Sequence, residues 1–492
     1  MFVRYGIVVT MSHSVKKNFV YNSAYQIFQI ITPLVTTPYL SRVLEASGVG
    51  LYSYTYAIAV YFVMFATLGM SNYGVRAMAA VADNPAQRNK TFSSVFASQL
   101  VVAIPVFVFY LVYAILFPQG GMVISLLWAM YVFSSVINVS WLFFGMEDFA
   151  KATIINIATK VLELVGIFTL IHSAQDVYIY CGIDSLCFLL GFALLLPFLH
   201  KYVKFSKPTW AEVKVHFLPN LKLFIPVIAI SLYTTLNSIL LGAMSTMEQT
   251  GYFDYSNKMA RMPLAVITAL GTVMLPRMSN MFAAGKTEEG LDLLDTSMWL
   301  MLAGGLAMAF GITGIAPEFV VVFFGPGYEP CAAVMTALAW IVPLICATNV
   351  IGAQYLLPLY RDNHYTISVC AGAVINVVLC LLLISELGAL GAALGVVAAE
   401  FVVLTVQVFF VRGELPLARY VKNTFPFFLI GIVMAVFIRF IVSLLMPALG
   451  MSVLLLVIEI LVGVLVFCLL SFIYCLITKN QYFWRIVGKN KG

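Results

Sequence analysis

Residues 251–280 read GYFDYSNKMARMPLAVITALGTVMLPRMSN. From Met262 to Pro276 there is no ionisable group, and the run is apolar enough to cross a bilayer core. The preceding turns are different. Asp254, Lys258 and Arg261 stand at i, i+4 and i+7, which on a helix stacks three charges within about 60° of arc. An ionisable group at bilayer depth costs roughly 2.5–3.5 kcal/mol on insertion scales, so this stripe does not belong against lipid. It requires a water-filled cavity, a partner or an anionic ligand.

The rest of the chain sets the class. Of 492 residues, 62% are hydrophobic and 10% charged, with mean hydropathy +1.00. Soluble domains carry about 25% charged residues, so the expected fold is an all-α polytopic membrane protein. A β-barrel is excluded, because the apolar runs are continuous and do not alternate. The opening MFVRYGIVVT is too short for a signal peptide, and translation could start at Met1 or Met11. Eight cysteines fall in or beside apolar segments without CxxC or Cys/His pairing, which suits packed small hydrophobes rather than a metal or disulfide site. No cofactor and no nucleic-acid partner is expected.

Hydropathy gives about fourteen candidate transmembrane helices between residues 18 and 477, among them 18–42, 49–72 and 251–275. An even count places both termini on one side. With the N-terminus inside, 22 of the 27 Lys and Arg residues fall on the inner side and only Arg42 at an outer end. This asymmetry predicts two cytoplasmic termini in a multi-pass plasma-membrane protein. The longest inner connection, HKYVKFSKPTWAEVKVHFLPNLK, divides the chain. The expected organisation is a six-helix lobe over 1–200, a basic linker at 201–218, a second six-helix lobe over 219–411, and two further helices with a basic tail over 412–492. GLYSYTY at 50–56 and GYFDYSN at 251–257 suggest that the lobes are pseudo-symmetric.

Several polar groups lie within the spans. Asp254 and Lys258 can neutralise one another, which leaves Arg261 either to pair with another acid or to bind a phosphate or carboxylate through its planar fork. Asn22, Gln26 and Gln29 repeat the i, i+4, i+7 spacing and can line a cavity or bind neighbouring helices together. Tyr52, Tyr54 and Tyr56 suit either a cavity wall or an interfacial belt. Lys160 and Glu163 form an i, i+3 pair, and Arg439 and Glu459 could bridge the last two spans. Asp184 and Glu400 have no evident partner. Each is either a hydrogen-bonded core acid or a site for a coupling proton or sodium ion.

NSAYQIFQIITPLVTTPYLSRVLEASGVGLYSYTYAIAVYFVMFATLGMSNYGVR at 22–76 resembles the opening of the bacterial polysaccharide repeat-unit flippases. These are polysaccharide transporters of the multidrug/oligosaccharidyl-lipid/polysaccharide exporter superfamily. WLFFGMEDF at 141–149, IPVIAISLYTTLNSILLG at 225–242 and LGALGAALGVVAAE at 387–400 are similar to later blocks of that family. The resemblance covers nearly the whole chain. It implies fourteen helices in two lobes around a cationic cavity. It also implies a non-enzymatic flippase that moves undecaprenyl-pyrophosphate-linked oligosaccharide repeat units from the inner to the outer leaflet by alternating access.

On that reading Lys258 and Arg261 hold pyrophosphate, while Asn22, Gln26 and Gln29 contact glycan. Arg42 lies at an outer gate, Asp254 tunes Lys258 or joins a gating bridge, and Asp184 and Glu400 are coupling candidates. Two departures stand out. Related lipid II flippases have cations in the first helix where this chain has amides, and relatives often have an acid where Asn237 stands. The expected partners are the lipid-linked oligosaccharide, membrane lipids, and a polysaccharide polymerase with export machinery, the chain itself acting as a monomer. A multidrug exporter of the same superfamily is the nearest alternative, but it would favour an acidic cavity. A glycan polymerase or ligase is the next, but it would need a large outer loop or a catalytic acid/His cluster.

Overall fold

The computed structural model describes the backbone of residues 13–487, and side chains from Phe28 to Arg485 except Ile30, Pro226, Val266, 268–270, 272, 273 and Pro276. Met1, Met11 and the side chains of Asn22 and Gln26 therefore lie outside the described residues. Every regular element among those described is helical. Among the described residues, twelve helical stretches are long and apolar enough to cross a membrane. Two features separate this number from the fourteen expected. Spans 18–42 and 49–72 run together as α1 (His13–Thr67), bent where Glu45 takes φ 56° and ψ 176°. Residues 251–275 do not form one helix. The chain breaks at Met262–Pro263, because proline fixes φ and clashes with the preceding turn.

The chain forms two compact units, one comprising residues up to 44 with 51–228, the other 45–50 with 229–492. In the first, the bulk of α1 is followed by α2 (Met70–Ala79), α3 (Pro85–Leu116), α4 (Met122–Val136), α5 (Ser140–Gly145), α6 (Phe149–Leu170) and α7 (Val177–Ala193). The short α8 (Trp210–Lys214) then leads into α9 (Phe217–Thr234), which the unit boundary divides. The break between α4 and α5 exposes carbonyls that no helix satisfies. Buried Gln99 of α3 fills the gap: its Nε2 donates to the Ser135 and Asn138 carbonyls, both at 2.9 Å, and its Oε1 accepts from Trp141 Nε1 at 2.9 Å. Trp141 in turn packs with Met70, Met78, Phe92, Leu142 and Phe143 in one apolar cluster. After α5, Glu147 adopts φ 56°, and Asp148 accepts hydrogen bonds from Lys151 and the Tyr202 hydroxyl. The WLFFGMEDF block thus ends in a turn pinned by charge.

The second unit contains α10 (Leu236–Met244), α11 (Met247–Arg261), α12 (Leu264–Ala283), α13 (Thr287–Phe324), α14 (Cys331–Ala339) and α15 (Ile341–Thr348). A π-helical stretch at Asn349–Leu356 precedes α16 (Asp362–Leu387), α17 (Ala389–Val411), α18 (Leu417–Leu449), α19 (Val453–Ile477) and α20 (Gln481–Val487). One cluster centred on Leu264, Met298, Leu338, Val342 and Val396 unites α10–α17. A second, with Trp299, Phe310, Phe427, Met434, Ile438 and Phe467, fixes α18 and α19 on α13. Arg419 and Tyr420 both donate to Asp295, tying the start of α18 to α13. In the connection between α17 and α18, Glu414 accepts from Arg361 at 2.7 Å and Tyr355 at 2.6 Å.

Candidate functional site

The stripe that opens the sequence analysis lies on α11. Thr246 caps this helix by accepting from Gln249 N at 3.3 Å, and Phe253, Tyr255, Met259 and Ala260 are buried on its packed face. Asp254 and Lys258 form the i, i+4 ion pair at 2.7 Å, with 41% of the Lys258 side chain still exposed and its ammonium 5.6 Å from the Tyr255 ring centre. Arg261 is the last residue of the helix, where the negative end of the helix dipole favours a cation. Its Nε donates to Asn257 Oδ1 at 2.8 Å, but its Nη2 is buried and has no hydrogen-bond partner among the described residues. A guanidinium N–H left unbonded in a buried position is costly.

Glu400 of α17, 5% exposed, lies within electrostatic reach of Arg261, as does the Tyr233 phenol of α9. Tyr365 of α16 faces Glu400 and Tyr233 in the same cluster. No ion pair joins Arg261 to a carboxylate among the described residues. Two helices, α11 and α17, thus bring together Asp254, Lys258, Arg261 and Glu400, with Tyr233 of α9 and Tyr365 of α16 beside them. Asn257, Tyr233 and Tyr365 were missed in the sequence. Asn257 could have been found from its position four residues before Arg261, whereas the two tyrosines are distant in the chain and had no local signal.

Asp184 belongs elsewhere, in the first unit. It is 3% exposed and accepts a 2.6 Å hydrogen bond from the Tyr52 hydroxyl. Tyr52 stacks on Tyr56 and Tyr180 in the interior of this unit, whereas the Tyr54 hydroxyl donates to Gln119 Oε1 at 3.1 Å in the connection between α3 and α4. A cavity of about 300 Å³ opens beside Asp184, lined by Asn156, Thr159, Lys160 and Glu163 of α6 and by Gly191 of α7. Lys160 and Glu163 pair at 2.5 Å, as their spacing predicts. Arg42 donates to the Pro38 carbonyl at 2.6 Å, three residues before the Glu45 bend, and Gln29 is exposed on α1.

Asn237 is fully buried on α10, where its Oδ1 accepts from Cys380 at 3.4 Å. With the Asn376 amide turned to satisfy its neighbours, that side chain donates to Asn237 Oδ1 at 2.9 Å and to the Leu232 carbonyl at 3.0 Å. The position is occupied by a neutral network. The expected Arg439–Glu459 bridge does not form: Arg439 pairs with Glu318 of α13 at 2.6 Å. Helix depth alone could not reveal that α13 supplies a closer acid.

Residues 15–282, more than half of the chain, match the family model described as polysaccharide biosynthesis protein. The chain belongs to this family. A relative in Escherichia coli (strain K12), named "Putative O-antigen transporter", is 24% identical to this polysaccharide biosynthesis family member over 405 residues, covering 82% of this chain and 97% of the relative. A Shigella dysenteriae protein of the same name is 20% identical, covering 76% and 93%. Among solved structures, the lipid II flippase MurJ in an inward closed conformation superposes with a TM-score of 0.78 at 14% identity, covering 96% of this chain and all of that one. An inward-facing multidrug resistance MATE transporter of the MOP superfamily superposes at 0.61 with 14% identity, covering 82% and 95%. These likenesses establish that this family member has the fold of MurJ and the MATE transporters, a multi-pass membrane fold.

Proposed function

We propose that this protein is a flippase that carries undecaprenyl-pyrophosphate-linked oligosaccharide repeat units from the inner to the outer leaflet of the bacterial plasma membrane by alternating access. The names of its curated relatives and the MurJ-like fold support a transporter of this superfamily. The observation that carries the anionic substrate is Arg261, whose buried Nη2 has no hydrogen-bond partner among the described residues while the Lys258 ammonium on the same helix stays accessible. A pyrophosphate offers oxygen acceptors with the geometry a guanidinium fork binds.

In this reading Lys258 and Arg261 hold the pyrophosphate, and Asn22, Gln26 and Gln29 contact the glycan. Arg42 serves the outer gate and Asp254 tunes Lys258. Glu400 lies within electrostatic reach of Arg261, so a proton bound there would remove a nearby negative charge and strengthen the pull of the guanidinium on an anion. Asp184 is the corresponding coupling candidate of the first unit. Both termini face the cytoplasm.

The test is a strain whose surface polysaccharide depends on this protein. Depletion is expected to trap lipid-linked repeat units on the inner leaflet, and Arg261→Ala to do the same with the protein still present in the membrane. Normal export by Arg261→Ala would overturn the headgroup assignment. Drug sensitivity without any glycan phenotype would favour a multidrug exporter.

A further inference from the structure

Away from the α11 cluster, α13, α18 and α19 meet around a single side chain. A Cβ built on Gly314 of α13 would lie 3.0 Å from Ile438 Cδ1, and one on Gly463 of α19 would lie 2.9 Å from the same atom. Ile438 of α18 thus fills a notch made by two glycines on two other helices. One turn along α13 from Gly314 stands Glu318, and one turn before Gly463 on α19 stands Glu459. Residue 439 adds the third member of the layer. Arg439 bonds Glu318 Oε2 at 2.6 Å and the Gly314 carbonyl at 3.4 Å.

The charges in this layer do not balance. Glu318 is 2% exposed and Glu459 is 0% exposed, yet one guanidinium serves both, and it is bonded to Glu318. Both Glu459 oxygens are buried without a hydrogen-bond partner among the described residues. Arg439 and Glu318 are the charged groups that act on Glu459 from the two helices packed against α19. A bare carboxylate enclosed in this way would lack hydrogen bonds and a counter-ion of its own, a costly condition for a buried charge. A neutral carboxyl avoids that cost.

We propose that Glu459 is a proton-binding site of the C-terminal helix pair, carried as the neutral acid while Arg439 is engaged by Glu318. Loss of the proton makes Glu459 a second claimant for Arg439, so the contact of α19 with α13 and α18 responds to protonation. The site is separate from Asp184 and Glu400, and it does not depend on the flippase reading.

The test uses the full-length protein in lipid nanodiscs. Infrared difference spectra of wild type against Glu459→Gln are expected to show a protonated carboxyl band at neutral pH that the variant lacks and that titrates away on alkalinisation. Glu459→Gln is expected to melt with the wild type at neutral pH and to lose the wild type's alkaline shift in melting temperature. Glu318→Gln, which strips Arg439 of its partner, is expected to melt lower. An absent band, or a Glu459→Gln melting temperature as low as that of Glu318→Gln, would show Glu459 ionised and paired, and would overturn the proposal.

Discussion

Gly50 and Gly251, the first residues of the two similar heptads GLYSYTY and GYFDYSN, touch one another within the second unit. A Cβ on Gly50 would lie 1.6 Å from the Met247 carbonyl oxygen and 3.0 Å from Gly251 N. On Gly251 it would lie 2.2 Å from the Ala46 oxygen and 3.2 Å from Gly50 N. The obstacles are backbone atoms, which cannot rotate aside. Gly50→Ala and Gly251→Ala are each expected to cost about 1–3 kcal/mol, as overpacking does, and to lower the melting temperature in detergent. Wild-type melting of both variants would mean that the two backbones are not in contact.

Glu45 precedes this crossing with φ 56° and ψ 176°, a region that only glycine adopts without strain. Glu45→Gly is expected to raise stability by about 1 kcal/mol, measured as a higher melting temperature. A lower one would show that the Glu45 side chain contributes more than its backbone costs.

Arg261 and Lys258 are expected to respond differently to substitution. Arg261→Lys keeps the charge but loses the fork, and should export poorly even with normal membrane levels of protein. Lys258→Gln leaves Asp254 as an unpaired acid on the same stripe. The double variant Asp254→Asn/Lys258→Gln should therefore export better than Lys258→Gln alone, a coupling that a double-mutant cycle of export rates would measure.

Gln99→Leu should be among the more damaging substitutions in the first unit. It removes the donor to the Ser135 carbonyl, while the Asn138 carbonyl and Trp141 Nε1 each lose one bond and keep the 3.1 Å bond they make with each other. Leaving a buried polar group unbonded costs about 1–3 kcal/mol, and a loss of that size is expected in thermal or denaturant unfolding.

Glu414 lies outside the spanning helices, between Val411 and Leu417. Hydrogen bonds from Arg361 hold its carboxyl below the usual range, partial burial opposes them, and the Tyr355 hydroxyl adds to the lowering. A depressed carboxylate contributes stability above its ordinary range and loses that contribution as pH falls through the folded-state value. Acidification should thus weaken the wild type more than Glu414→Gln in melting curves taken across the acidic range. Equal slopes would show that the pair contributes nothing.

Periodicity and hydropathy were sufficient for whatever depends on neighbours along the chain. The all-helical membrane fold follows from long apolar runs, and the Lys258–Asp254 and Lys160–Glu163 pairs follow from their spacing. Only the tertiary structure decided which distant groups meet. Tyr52 finds Asp184 across 132 residues, and Arg439 chooses Glu318 over the acid expected for it. Glu400 comes within reach of Arg261, and Gly50 is brought against Gly251. The reason is physical: helix geometry fixes contacts within about one turn, whereas contacts between helices depend on how whole faces pack. A sequence records the composition of each face but not which face it meets.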